Sequence, residues 1–176
     1  MRQHPLQLRW PEPADKGTAD DRARYTYDLF NRTEKVETFD GHVQINHYDA
    51  EGLRSGIEED GRLVQFIFRG QEVVTELEQE KGMTRYIRGY DLIASDADSA
   101  RTYYHYASDE LGSITHVAAG EDILNRYEYD AWGNLTFCEE KAENRFKFNG
   151  QQYDPISQQY YLRARYYNPV IGRFTQ

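Results

Sequence analysis

Apolar and polar residues alternate with period two along much of this chain, and aromatic rings hold many of the alternating positions. Tyr25-Thr26-Tyr27, Tyr104-His105-Tyr106, Tyr127-Glu128-Tyr129 and Phe146-Lys147-Phe148 each place two rings two residues apart around a polar residue. In a strand such a pair shares one face. In the strongest run, Tyr160, Leu162, Ala164 and Tyr166 fall on one face and Tyr161, Arg163, Arg165 and Tyr167 on the other. No window of comparable strength shows the helical period. The pattern predicts an all-β, antiparallel chain.

The aromatic pairs recur. Tyr27-Asp28 leads to Asn31, Tyr48-Asp49 to Gly52, Tyr106 to Gly112, Tyr129-Asp130 to Gly133, and Phe148-Asn149 to Gly150. Phe66-Ile67-Phe68 with Gly70, and Tyr86 with Gly89-Tyr90-Asp91, read as degenerate copies. Anchors at 27, 48, 68, 90, 106, 129 and 148 lie 19 to 23 residues apart, except for a step of 16 between 90 and 106. That period is too short for a helical pair and fits one two-stranded hairpin per repeat. Asp opens a turn by bonding backbone amides two residues on, and Gly or Asn tolerates the positive φ that follows. One hairpin cannot bury its own apolar face, so neighbours must stack into an extended sheet. The expected structural residues are Tyr27, Tyr48, Tyr106, Tyr129, Phe148, Tyr160 and Tyr166 as stacked aromatics, with Gly52, Gly112, Gly133 and Gly150 in turns. Asp28, Asp49, Asp91 and Asp130 read as turn residues rather than ligands or acid–base pairs.

The chain closes on Tyr153-Asp154-Pro155, then Tyr160-Tyr161-Leu162-Arg163-Ala164-Arg165-Tyr166-Tyr167-Asn168-Pro169, then Gly172-Arg173-Phe174. With the repeats, this block resembles the YD-repeat or Rhs (rearrangement hotspot) family of polymorphic-toxin and cell-surface proteins. The repeats cover roughly 25–150, and 149–174 resembles the family's associated core motif. The resemblance implies a spiralling sheet of β-hairpins, part of a cocoon-like shell around a carried polypeptide, often a toxin. It also implies secretion or cell-surface exposure. Many members self-cleave at an Asp-Pro-x-Gly downstream of Gly-Arg-Phe; this sequence stops at Gln176, and its one Asp-Pro is followed by Ile156-Ser157. Ser157-Gln158-Gln159 stands where the family commonly places glycine.

The expected layout is a linker over 1–23, a repeat sheet over 24–148 and an incomplete core motif over 149–176. Net charge is −9 with a pI near 5.0, which disfavours phosphate-backbone partners. Mean hydropathy is −0.90 although 14 % of residues are aromatic, a balance suited to strands with half-wet tyrosine faces. The opening twenty residues hold charges and Pro5, Pro11 and Pro13 but no apolar run, so no signal peptide or membrane span is expected there. A lone Cys138 excludes an internal disulfide framework and reads as a buried or incidental thiol. The histidines (His4, His42, His47, His105, His116) lack metal spacing. Asp96-Ala97-Asp98 opens like a calcium loop but has Arg101 at the sixth position and Ala107 at the twelfth. Asn31-Arg32-Thr33 and Asn134-Leu135-Thr136 match glycosylation acceptors but fall on repeat turns. Arg163 and Arg165 among tyrosines could serve stacking or cross-strand pairing better than a nucleic-acid platform.

These features lead to an expectation of a non-catalytic shell segment that scaffolds or encapsulates a polypeptide, not an enzyme, with no cofactor or metal. The alternative is a cell-surface module binding carbohydrate on exposed tyrosines. Expected partners are a polypeptide cargo or upstream repeats, with glycans under the alternative, self-association through open sheet edges, and neither nucleic acid nor membrane.

Overall fold

The computed structural model describes residues 22–98 and 102–175. Twelve strands follow one another: β1 (Ala23–Tyr27), β2 (Thr33–Thr38), β3 (Val43–Tyr48), β4 (Arg54–Glu59), β5 (Arg62–Arg69), β6 (Glu72–Glu78), β7 (Gly82–Arg88), β8 (Leu92–Ala97), β9 (Thr102–Ser108), β10 (Ile114–Ala119), β11 (Asp122–Tyr129) and β12 (Leu135–Glu140). Each pairs antiparallel with the next in a single sheet, leaving β1 and β12 at its edges. A connecting segment and a turn at Phe148–Gly150 lead to a second sheet of β13 (Gln152–Asp154), β14 (Gln159–Tyr161), β15 (Tyr166–Asn168) and β16 (Arg173–Phe174). The chain is all-β and antiparallel. Of the linker expected over 1–23, residues 1–21 lie outside the described residues, and Ala23 already pairs with Thr38.

The repeat has a local cause. In four turns an aspartate, Asp28, Asp49, Asp109 or Asp130, accepts through Oδ1 the backbone N–H groups two and four residues on, all at 2.8–2.9 Å. The residue three on has positive φ: Asn31 (62°), Gly52 (84°), Gly112 (79°) and Gly133 (89°). One carboxylate thus satisfies amides that the ladder leaves unpaired, and a Gly or Asn admits the reversal.

The equivalent strand ends are Tyr27, Tyr48, Phe68, Arg88, Ser108 and Tyr129, 20 or 21 residues apart. The copy anchored on Tyr90-Asp91 is therefore misassigned. Tyr90 sits fully exposed at a turn tip, and Asp91 accepts the Gly89 N–H through its backbone carbonyl. Asp109, three residues past Tyr106, is the repeat aspartate that the aromatic anchors hide. With Arg88 and Ser108 in place, the irregular step disappears.

The long terminal strand expected over 160–167 does not form. Leu162 N–H bonds Arg165 C=O and Arg163 takes φ 60°, so the run folds into the hairpin β14–β15, pairing Tyr161 with Tyr166 and Tyr160 with Tyr167. The reversal that follows Asp154 lies at Pro155–Gln158, where Gln158 holds φ 54° in place of the family's glycine, while Tyr153 and Asp154 themselves close β13.

Neighbouring residues of β14 show how the large sheet is shaped. Gln159 Nε2 donates to the Tyr25 hydroxyl in β1, while the Tyr160 hydroxyl donates to Gly133 C=O between β11 and β12, both at 2.9 Å. Twelve flat strands would hold those points roughly 50 Å apart. The sheet is therefore rolled around the small one. Its apolar centre is Ile57, Val64, Phe66, Val73, Leu92, Ile114, Val117, Tyr127 and Phe146.

Candidate functional site

Because the sheet is a meander, the Asp turns all lie on one rim of the roll, and the terminal block packs there. Phe148 lies against Gly133, where an added Cβ would stand 2.6 Å from its ring. The Tyr167 hydroxyl donates to Trp132 C=O, and Gly172 backs onto the Trp132 ring. Asn149 N–H donates to Ser113 Oγ, and Gly150 approaches Gly112 C=O. Arg163 reaches Gln71 C=O and Glu72 Oε1, while Arg165 lies 3.9 Å over the Phe174 ring; Arg173 is exposed.

At the centre of this packing Arg54 and Asp154 are both inaccessible to water. The Arg54 guanidinium grips both carboxylate oxygens, with Nη2 to Oδ1 at 2.9 Å and Nη1 to Oδ2. It also donates to Gln152 Oε1 and stacks 4.3 Å from the Tyr161 ring centroid. Gln44 Nε2 adds a bond to Asp154 Oδ2 at 3.0 Å. Burial works against the charge on Arg54, but the Asp154 carboxylate with Tyr166 and Tyr161 outweighs it and holds Arg54 protonated. Asp154, from the expected terminal motif, is thus a buried ion-pair partner for a residue 100 positions earlier.

Toward the other rim the roll is hollow. A cavity of about 710 Å³ is walled by β4 to β9, β12 and the segment after it. It exists because β8 carries Ser95 and Ala97 where β7 and β9 carry Tyr86, Tyr104 and Tyr106. Its walls are charged: Arg145 pairs with Glu59 at 3.0 Å, Lys147 with Glu140 at 2.5 Å, and Glu143 bridges Arg62 and Lys81. Burial raises the pKa of Glu76, and Arg145 offsets only part of that rise. Tyr86, hydrogen-bonded to Glu76, is pushed far up by the same burial. Burial pushes Tyr106 up to about 12, against the bond from Ser95. For Glu143, Lys81 and Arg62 outweigh burial and hold the carboxyl low. Burial thus shifts the Glu76 carboxyl toward its protonated form beside a phenol and a guanidinium, a setting of the kind found where protons are exchanged with a bound molecule.

The expected aromatics are placed in different ways. Tyr129, Phe148 and Tyr160 form a ladder of rings at 5.7 and 6.0 Å, which Tyr153 joins at 5.1 Å from Tyr160. Tyr166 meets Tyr161 at 5.4 Å. Tyr27 packs on the Ala23–Tyr25–Val36 cluster, Tyr48 lies under Arg32 at 4.4 Å, and the Tyr106 hydroxyl meets Ser95 at 3.0 Å. Cys138 is exposed on β12, not buried. Of the cavity groups, the sequence pointed to neither Glu76 nor Arg145, and it placed Tyr86 only in a degenerate repeat copy.

No protein-family profile matches the chain. It is 30 % identical over 170 residues, 89 % of its length, to the tRNA3(Ser)-specific nuclease WapA of Bacillus spizizenii, of which it spans 7 %. It is 27 % identical over 195 aligned positions to the double-stranded DNA deaminase toxin A of Burkholderia cenocepacia, of which it spans 14 %. A crystal structure of TcdB2-TccC3-Cdc42 superposes on 88 % of this chain with a TM-score of 0.72 at 14 % identity, the chain covering 9 % of that one. The expectation of a non-catalytic scaffolding or encapsulating segment, and of no enzyme, is overturned by these relatives, which are named as a nuclease and a deaminase toxin. Among the described residues no helix is long and apolar enough to cross a membrane. Along most of its length, the chain is similar to a section of much longer proteins named as nucleases and toxins.

Proposed function

We propose that this chain is part of a longer toxin enzyme of the YD-repeat (Rhs) family, exported from the cell that makes it and acting on nucleic acid. The observation that carries this reading is the 30 % identity to a tRNA nuclease across 89 % of the chain. The Asp-turn hairpins and the Tyr-Tyr-Leu-Arg-Ala-Arg-Tyr-Tyr block support the family. The chain spans a small share of its relatives, so the catalytic activity belongs to the whole protein. In that protein the open edges of β1 and β12 pair with neighbouring strands, since unpaired edges seek partners. Within the described residues, Glu76, Tyr86 and Arg145 are the groups whose setting suits proton transfer.

The test is to incubate the longer protein, and separately this chain, with total tRNA and with duplex DNA. Strand breaks are read on denaturing gels and deamination by sequencing. The longer protein is expected to cleave or deaminate one substrate; an inert protein overturns the proposal. Activity in the chain alone that is lost in Glu76→Gln assigns the chemistry to the cavity. Activity in the longer protein only assigns it to residues beyond this chain.

A further inference from the structure

The charges that wall the cavity balance at its mouth but not at its deep end. Glu78 and Glu143 face Arg62 and Lys81, and Glu140 faces Lys147. Arg145 alone faces both Glu59 and Glu76. Its Nη2 lies 3.0 Å from Glu59, but its Nε stops 3.9 Å from Glu76 Oε1, beyond hydrogen-bond reach. That oxygen is buried and, among the described residues, has no hydrogen-bond partner. Among the described residues, one carboxylate is therefore in excess of the cations within reach.

The surroundings say what would complement it. Tyr86, Tyr104 and Tyr106 line the cavity, and Ser95 and Ala97 leave the space in front of them open. Phenol rings attract cations through their faces, and hydroxyl oxygens accept hydrogen bonds. An ammonium group brings three donors and one positive charge, which the Glu76 carboxylate and tyrosine oxygens can take up. An anion would meet the uncompensated carboxylate, and an apolar ligand would leave it desolvated and unpaired. The volume falls within the range of small-ligand sites, roughly 300–1,000 Å³.

We propose that this cavity binds an organic primary ammonium group, held by Glu76 with Tyr86 and Tyr106 beside it. This site goes beyond the toxin-enzyme reading and does not rest on it. A free amine and a lysine side chain share the chemistry.

The experiment is calorimetric titration of the chain with 1,4-diaminobutane and with a lysine-containing hexapeptide, against sodium chloride at matched ionic strength. Saturable one-to-one binding is expected. Glu76→Gln should weaken it about tenfold by removing the charge–charge contact. Ala97→Leu, which leaves every charge in place, should block it by filling the space. A thermal melt of each variant establishes that it is folded, and if Glu76→Gln does not fold, Ala97→Leu decides. Binding of the diamine alone identifies a small free amine; binding of the peptide as well identifies a polypeptide side chain. Both support the proposal. Heats no different from sodium chloride, or wild-type affinity in the folded Ala97→Leu protein, overturn it.

Discussion

Replacing Asp154 by Asn removes the negative charge from a pair that has no exposed surface, while keeping nearly the same shape. Arg54 keeps its proton, so a full positive charge stays buried against Tyr161, Gln152 and an amide. Breaking a buried pair in this way costs about 3–5 kcal/mol, because the remaining charge is neither solvated nor neutralised. For a domain of this size each kcal/mol moves the melting temperature by about 2–4 °C, so Asp154→Asn should melt about 6–20 °C lower. Calorimetry and guanidinium unfolding measure the loss. Limited trypsin digestion localises it, with faster cleavage at Arg163 and Arg165 as the terminal block loosens. A double variant, Arg54→Met with Asp154→Leu, removes both charges and should recover more than half of the deficit. Melting of Asp154→Asn within about 2 °C of wild type would refute a stabilising role for the buried Arg54–Asp154 pair. A double variant no better than the single one would show that shape, not charge, sets the cost.

Three further outcomes follow from the same geometry. Gly133→Ala should lose about 1–3 kcal/mol in guanidinium unfolding, from strain at φ 89° and from collision with Phe148; Gly120→Ala, at φ 61° with open space around it, should lose less. Equal losses would remove the Phe148 contact from the account. Glu76 has a raised pKa, so its contribution to stability is fully present below its unfolded value and declines as pH rises through the folded one. Melting of Glu76→Gln and wild type should therefore coincide near pH 4 and diverge in favour of Gln toward pH 7; a constant gap would contradict the desolvation argument. His42, 2.7 Å from Asp60, is raised above 6.5 by that bond, and its stabilisation is present below that value and lost as pH rises through the folded pKa. An NMR titration should place His42 lower in Asp60→Asn than in wild type, and an unmoved midpoint would discount the pair.

The strand content, the antiparallel hairpins and the period near twenty were legible because their causes are local. Alternation sets the face, and an Asp followed by Gly or Asn three residues later sets the turn. Aromatic anchors were a poorer guide than the aspartates. Tyrosine serves at strand ends and at exposed tips alike, as Tyr90 shows, whereas Asp109 marks a turn by an obligatory backbone bond. The cavity was not legible, since it depends on Ser95 and Ala97 being small beside tyrosines on adjacent strands and on Arg145 arriving from beyond the sheet.

Period-two patterning by itself determined that this is a chain of antiparallel hairpins, because that information lies within a few bonds of each residue. Only the tertiary structure decided that the run from Tyr160 to Tyr167 is two strands. Alternation is blind to a reversal at Arg163, which keeps the rings in step while turning the backbone. Only the tertiary structure, too, paired Asp154 with Arg54 and rolled twelve strands around four. Burying two opposite charges together stabilises one specific closure, and no local pattern encodes which distant arginine completes it.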